Sequence, residues 1–453
     1  MLLAFTVTNF ASFADETTLD LQQRSFTTLH PKNNDWVDVT SRIAGIFGPN
    51  ASGKSNLIRP LGLITGAVAE SLRDSMFVFP LRNPHVLHAE SDTRFEVEYT
   101  RNKVRYRWIL ILDNNGVVEE SLEASETSAW RVVFHRERDE ITFGRSAKIP
   151  AAAARGISEM LKPWVLVFSA WGTVKTRGPY YAAVEFWQDV TTLDLGDQTP
   201  EAHQRRARYH HDLLDKLSVP EWLVLGTELL QSADTGITGV KVDEREAPPG
   251  LAEAIQKVNE IARRILDGEE VPEELLTGSE TKTDTTLVAR SLRFTHDAGE
   301  SEFELPEAAE SAGTLEWLNV IVPLLSTLAT GGVAVVDELG GSLHSSLVQY
   351  AISLFLDPTI NDRGAQLIFT SQVLLLLDTR SIAPIPRDGL WFVEKDKAES
   401  TLVCLDDFSV RSNHNPLHRY LSGRYAALPV PRPLSPAKIR KLRSILLNGS
   451  AEN

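Results

Sequence analysis

An α/β fold, interrupted by an antiparallel β section and by an inserted helical subdomain, is what this sequence predicts. Three observations predict it. The apolar run Ile43 to Phe47 leads into a glycine-rich loop, and a helical pattern starts at Ser55. A second fully apolar run, Val333 to Val336, ends in two acids about 280 residues later. Between them the pattern changes twice. It alternates apolar and polar around a hairpin turn, then takes helical spacing.

The first run carries G-x-x-x-x-G-K-S. Gly48, Pro49, Asn50, Ala51, Ser52, Gly53, Lys54 and Ser55 form it, with Asn56 next. Strand, glycine loop and helix in that order are what a phosphate-binding P-loop requires. Its glycines let backbone N–H groups point at a phosphate, and the helix N-terminus adds partial positive charge. Lys54 would reach the β- and γ-phosphates of ATP, and Ser55 would hold Mg²⁺ through its hydroxyl.

Composition sets the bounds. The chain has 453 residues, enough for two or three domains. It is 42% hydrophobic and 24% charged, with a net charge of −15. That acidity argues against a generally sticky nucleic-acid binder, while leaving room for a local basic groove. No apolar run reads as long enough to span a bilayer, and the N-terminus lacks a signal peptide's basic and apolar regions. The single cysteine, Cys404, excludes an internal disulfide framework and a Cys-rich zinc site, and reads as a small core residue. The expected location is the cytoplasm, with no membrane partner.

In chain order, residues 2 to 13 read as a half-buried strand with Leu3, Phe5 and Val7 facing one way. Thr18 to Leu21 is a second strand, and a helix follows the P-loop to about Ser71. Phe95 to Tyr99, Tyr106 to Leu112 and Arg131 to Phe134 are strands, with Asp113-Asn-Asn-Gly116 as a hairpin turn. From about 150 to 276 the pattern is helical at Ala151 to Leu161, Glu201 to Leu217 and Leu251 to Ile265. Ser218-Val-Pro-Glu221 and Ala247-Pro-Pro-Gly250 mark helix starts or linkers. Ile237 to Val242 is a short strand, and 267–274 an acidic loop. Strands return at Leu287 to Thr295 and Glu302 to Leu305, with a helix from Thr314 to about Leu328. After Val333 to Val336, a helix spans Leu347 to Leu356. Gln366 to Phe369 and Leu390 to Val393 are buried strands, and Thr401 to Leu405 is an edge strand. The prolines of 429–436 read as a linker to a basic terminal helix. The domain boundaries are therefore 1–75 (P-loop part), 76–149 (antiparallel section), 150–285 (helical insert), 286–428 (second lobe) and 429–453.

Val333-Ala-Val-Val-Asp-Glu338 is a Walker B pattern. Asp337 would orient Mg²⁺, mostly through water, and Glu338 would act as general base on the attacking water. Upstream lies Glu310-Ser-Ala-Gly-Thr314, opening a helix. Ser311 and Gly313 look like the S-x-G signature of ABC-type ATPases, where a helix N-terminus is aimed at the γ-phosphate bound by a second protomer. Leu339-Gly-Gly-Ser-Leu-His344 takes the D-loop position. After the strand Gln366 to Phe369 such ATPases carry a switch histidine, and here the residues are Thr370-Ser371-Gln372. Three readings stay open: Gln372 replaces the histidine, hydrolysis is slow, or the loop has lost this role.

With these motifs the chain resembles the stand-alone ABC-type "AAA" ATP-binding proteins with SMC-like heads. These include the RloA and abortive-infection AbiL-type ATPases and the ATPase partner of two-gene phage-defence systems such as PARIS. The matching stretches are Phe5 to Phe13, Gly48 to Asn56, Tyr106 to Leu122, Ala233 to Ile237, Glu310 to Thr314 and Val333 to His344. Arg387 to Asp396, Asp407-Phe408 and Tyr420 to Pro429 complete them. Two departures stand out: Ala11 where a basic residue is common, and Gln372. The resemblance implies an ABC-type P-loop head, a nucleotide-sandwich homodimer or higher assembly, ATP and Mg²⁺ as ligands, and a separate effector such as a nuclease. Ser311 and Gly313 would complete the partner's site, and Lys54, Glu338 and Gln372 would serve catalysis.

Three functions follow as expectations. The first is an ATPase that senses or regulates in anti-phage defence or nucleic-acid metabolism. The second is an ATP-gated scaffold with little turnover that sequesters a toxin or nuclease. The third is a DNA-repair head, disfavoured because no long heptad run supplies coiled-coil arms. Weaker features read more blandly. His203 to His211 is a solvated helix face before it is a phosphate contact, and the adjacent His210 and His211 make a poor metal pair. Tyr180-Tyr181 and Phe186-Trp187 suit core packing or a partner groove.

Overall fold

The computed structural model of the chain describes residues 1–196, 210–211, 213–233, 236–246, 288–408, 415–425 and 435–449, with the single positions 261, 264 and 272. Apart from those single positions, the expected helix at 251–265, the turn at 247–250, the acidic stretch 267–274, residues 201–209 and most of the proline run lie outside the described residues.

Among the described residues the strands are β1 (Leu2–Thr8), β2 (Thr17–Asp20), β3 (Ile43–Phe47), β4 (Thr93–Arg101), β5 (Val104–Asp113), β6 (Gly116–Ser125), β7 (Arg131–Glu137) and β8 (Glu140–Phe143). Then come β9 (Val190–Asp194), β10 (Ile237–Glu246), β11 (Val288–Asp297), β12 (Glu302–Pro306), β13 (Val333–Asp337), β14 (Gln366–Thr370), β15 (Leu390–Asp396) and β16 (Glu399–Cys404). Two compact units result. The first comprises Met1–Thr192, Thr327–Leu339 and Ile352–Asn453; the second comprises Leu193–Ser326 and Gly340–Ala351.

The first unit holds two sheets. One runs β2-β1-β4-β5-β6-β7-β8, every neighbouring pair antiparallel. The β5–β6 hairpin closes where Asp113 pairs with Gly116, at the turn expected there. The other sheet runs β16-β15-β3-β14-β13-β9. Here β3 lies parallel to both β14 and β15, β13 lies parallel to β14, and β16 returns antiparallel at the edge. Every residue of β3 and β14 is buried, as central parallel strands covered on both faces must be. The α/β architecture with an antiparallel section is thus the fold observed.

Two sequence expectations are corrected. β1 is not half-buried: Leu2, Leu3, Phe5 and Val7 are all at most 1% exposed. It pairs on both edges, and its register with β4 shifts between Leu2 and Ala4. Helix Ala312–Thr330 is long and apolar enough to cross a membrane by length and composition, although half of its most apolar window is buried in the protein. Trp317, Leu318, Val320, Ile321 and Leu324 are completely buried, which is what a core helix of this composition does.

The break between units falls after Thr192, downstream of the boundary expected at 150. Helices Ala151–Met160 and Val167–Thr173 belong to the first unit because their apolar residues complete its core. Phe168 stacks on Trp108 of β5 with ring centroids 5.4 Å apart, and Trp171 meets Phe134 of β7 at 6.2 Å. In the second unit, β10, β11 and β12 form an antiparallel sheet, with helix Pro220–Ser232 packed near β10. The Trp317 indole donates to the Leu229 carbonyl at 3.0 Å.

Candidate nucleotide site

The P-loop joins β3 to helix Lys54–Glu70. Two glycines are dictated by space and backbone. Gly48 has φ +155°, and a Cβ there would stand 2.4 Å from the Val393 carbonyl oxygen. Gly53 has φ +106°, with its would-be Cβ 2.5 Å from Ser400 Oγ and 2.6 Å from Ser12 Oγ. Ala51 also takes a left-handed φ of 62°. The Lys54 ammonium lies across the loop and donates to the Gly48 and Pro49 carbonyls, both at 2.9 Å. Burial lowers its pKa from the usual lysine value, while the charges of Glu338 and Asp337 oppose that shift. Asn56 donates to Ser12 Oγ at 3.0 Å.

Folding brings the Walker B acids, 282 residues away, onto the loop: Ser55 Oγ donates to Asp337 Oδ1 at 3.0 Å. The Thr370 hydroxyl donates to the same oxygen. Burial raises the Asp337 pKa above the usual carboxylate value, opposed by these two hydroxyl hydrogen bonds. Glu338 follows with φ 60°, and its N–H is accepted by Thr370 Oγ1 at 2.8 Å. Gln372 Nε2 stands 3.5 Å from Glu338 Oε1. The residue in the switch position therefore faces the carboxylate assigned as base.

Ser311 and Gly313 lie in the second unit, where helix Ala312–Thr330 starts. Ser311 Oγ accepts the Thr314 N–H at 3.1 Å, which is an N-cap bond. Glu310 accepts the Ser311 N–H at 2.8 Å and contacts His296 Nε2 at 2.8 Å. His344 of the D-loop stretch pairs with Ser346 Oγ at 2.7 Å.

Reading the sequence did not single out Ser12, Ser400 or Thr370 as site residues. Ser400 on β16 and Ser12 after β1 have hydroxyls 2.8 Å apart, and Ser400 Oγ also donates to the Ser52 carbonyl at 2.7 Å. Residues so distant in the chain leave no local pattern that could have flagged them. The aromatic pairs resolve as packing. Tyr180, Tyr181, Phe186 and Trp187 are buried, with Phe186 stacked on Tyr99 at 4.3 Å. His210 pairs with Glu307 and His211 with Asp215, so the two imidazoles diverge. Cys404 is buried in the core. Lys438, Arg440 and Lys441 of the terminal helix Pro436–Gly449 are exposed.

The residues present fit Mg²⁺ and a nucleoside triphosphate. The loop carries a lysine ammonium, a hydroxyl already paired with a carboxylate, and a buried Ser52 hydroxyl with no hydrogen-bond partner. Among the described residues no group of three His, Cys, Asp or Glu could hold a metal alone. Mg²⁺ needs none, since it usually keeps several waters and takes one or two protein ligands beside phosphates. Ser55 and Asp337 would be those ligands.

None of the curated proteins matches this chain. Among solved structures, the SMC head domain from Thermotoga maritima aligns over 89% of this chain and 98% of its own, at 11% identity and a TM-score of 0.36. Residues 43–163 and 197–378 match the family described as AAA domain, putative AbiEii toxin, Type IV TA system. The match takes in more than half of the chain, with the P-loop and the Walker B strand inside it, and the chain belongs to that family.

Proposed function

We propose that the chain is an ATPase that binds Mg-ATP on the P-loop and hydrolyses it to ADP and phosphate. The observation that carries this reading is the 3.0 Å bond between Ser55 of the P-loop and Asp337 of Walker B. Two motifs far apart in sequence meet at the two oxygens that would share a magnesium ion. When bound, Mg²⁺ neutralises phosphate charge. Lys54 supplies a cation to the β- and γ-phosphates once it leaves the loop carbonyls, and the P-loop N–H groups orient them. Glu338 accepts a proton from water, with the Gln372 amide beside its carboxylate.

Ser311 and Gly313 are proposed to complete the site of a second copy, so that ATP closes a homodimer and hydrolysis opens it. The cellular reading is a cytoplasmic sensor or regulator, in anti-phage defence or nucleic-acid metabolism, that works with a separate effector such as a nuclease. A second reading, an ATP-gated scaffold with little turnover, is favoured by Gln372, which cannot carry the proton a histidine would.

Steady-state ATP hydrolysis by the purified chain tests both, beside Glu338→Gln and Lys54→Ala. An ATPase loses about 100-fold or more of its turnover in Glu338→Gln while still binding ATP, and Lys54→Ala loses binding. Tight ATP binding retained by Lys54→Ala refutes the site. No turnover in wild type, with ATP bound, selects the scaffold.

A further inference from the structure

We propose that Thr370 is a positioning residue for hydrolysis, its hydroxyl setting both the Asp337 carboxylate and the Glu338 backbone. The proposal rests on the reading of this site as an Mg-ATP hydrolase. Thr370 ends β14 and is completely buried. The regular β13–β14 ladder stops at the Val336–Phe369 pair. Beyond it, hydroxyls take over the pairing. Thr370 Oγ1 donates to Asp337 Oδ1 and accepts the Glu338 N–H at 2.8 Å. The Leu339 N–H donates to the Thr370 carbonyl at 2.9 Å, and Ser371 Oγ donates to the Leu339 carbonyl at 2.7 Å. Three consecutive residues at the Walker B end are thus tied to two at the end of β14.

A hydroxyl has one proton and two lone pairs, so Thr370 makes both of its bonds at once with fixed polarity. Asp337 Oδ1 has two donors, Ser55 and Thr370. Ser55 is the one read as a cation ligand, which leaves Thr370 as the donor dedicated to orientation. Glu338 sits at φ 60°, a conformation that a non-glycine residue keeps only where its surroundings fix it. The bond from its N–H to Thr370 is such a fixture. Valine at 370 keeps the shape and deletes both bonds, whereas serine keeps the hydroxyl and deletes a methyl group.

ATP affinity in EDTA and in Mg²⁺, by calorimetric titration, and steady-state turnover are measured for wild type, Thr370→Val and Thr370→Ser. Thr370→Val is expected to keep metal-free ATP affinity within about twofold, to lose about fivefold or more of the Mg²⁺ enhancement, and to lose about 30-fold in kcat at little-changed KM. Thr370→Ser restores both. A Thr370→Val protein with wild-type Mg²⁺ enhancement and kcat overturns the role, and so does a Thr370→Ser protein as impaired as Thr370→Val. Where circular dichroism shows the valine variant unfolded, Thr370→Ala carries the same comparison. A wild type that binds no ATP in either condition refutes the reading of the site and this role together; a wild type responsive to Mg²⁺ beside an unaffected Thr370→Val refutes this role alone.

Discussion

Gly53→Ala is expected to loosen the P-loop at a cost that can be worked from the geometry. Gly53 holds φ +106°, and the new Cβ would lie 2.5 Å from Ser400 Oγ and 2.6 Å from Ser12 Oγ. Placing an L residue in left-handed backbone costs about 1–2 kcal/mol. Relieving the clash requires both hydroxyls to move, and both are committed. With one proton each, they form a relay from Asn56 Nδ2 to Ser12 Oγ, to Ser400 Oγ, to the Ser52 carbonyl. Losing two or three such bonds at about 0.5–1.5 kcal/mol each adds about 1–4 kcal/mol. The sum is about 2–6 kcal/mol, a large share of a domain's stability. Ser400→Ala removes two of these bonds without touching the backbone and is expected to cost about 1–3 kcal/mol, less than Gly53→Ala. Urea unfolding of the two variants beside wild type measures both. A Gly53→Ala loss below about 1 kcal/mol, or equal losses in the two variants, refutes the reasoning.

Gln372→His places a group that can carry a proton beside Glu338. Turnover is expected to rise by about fivefold or more at unchanged ATP affinity; unchanged turnover removes Gln372 as the cause of any deficit. In the second unit, His210 Nε2 lies 3.1 Å from Glu307 Oε1. The hydrogen bond to Glu307 raises its pKa above the usual histidine value, against the lowering effect of burial. A raised pKa means that the pair's contribution is complete below the unfolded value and is lost as pH rises through the folded one. With both side chains partly solvated, about 0.5–1 kcal/mol is at stake. Urea midpoints on the acidic and alkaline sides of neutrality should fall more with rising pH in wild type than in His210→Gln, and identical slopes would sink this assignment.

The P-loop and the Walker B strand were legible because each is a local pattern with a local cause. Gly48 and Gly53 announce a backbone no other residue takes easily, and Val333 to Val336 announce a strand covered on both faces. Helix 151–160 and the buried segment after it were harder to place. Val165, Leu166, Val167, Phe168 and Trp171 are all buried, so this stretch has no polar face to give a period or to assign it to one unit. The partners of β3 could not be read either: β14 and β15 come from the far end of the chain, and nothing local orders parallel strands. The same distance hid Ser12, Ser400 and Thr370. A serine or threonine gains meaning only from what folding sets opposite it.

The backbone at Glu338 bears on the choice between hydrolysis and gating. Holding a nucleotide needs the P-loop and Asp337; it does not need a glutamate at φ 60°. Such a residue costs about 1–2 kcal/mol relative to ordinary backbone, a cost that the contacts around it must offset. If the strain serves the base, glycine at 338 should release it. Glycine also loses about 0.5–1 kcal/mol through the greater freedom of the unfolded chain, so the net gain is at most about 1.5 kcal/mol. Glu338→Gln removes the charge but keeps the backbone requirement, which makes it the reference. Glu338→Gly is therefore expected to be more stable than Glu338→Gln in urea, with neither turning over ATP. A Glu338→Gly protein no more stable than Glu338→Gln would mean that φ 60° is unstrained here. The backbone at 338 would then give no reason to prefer hydrolysis over gating.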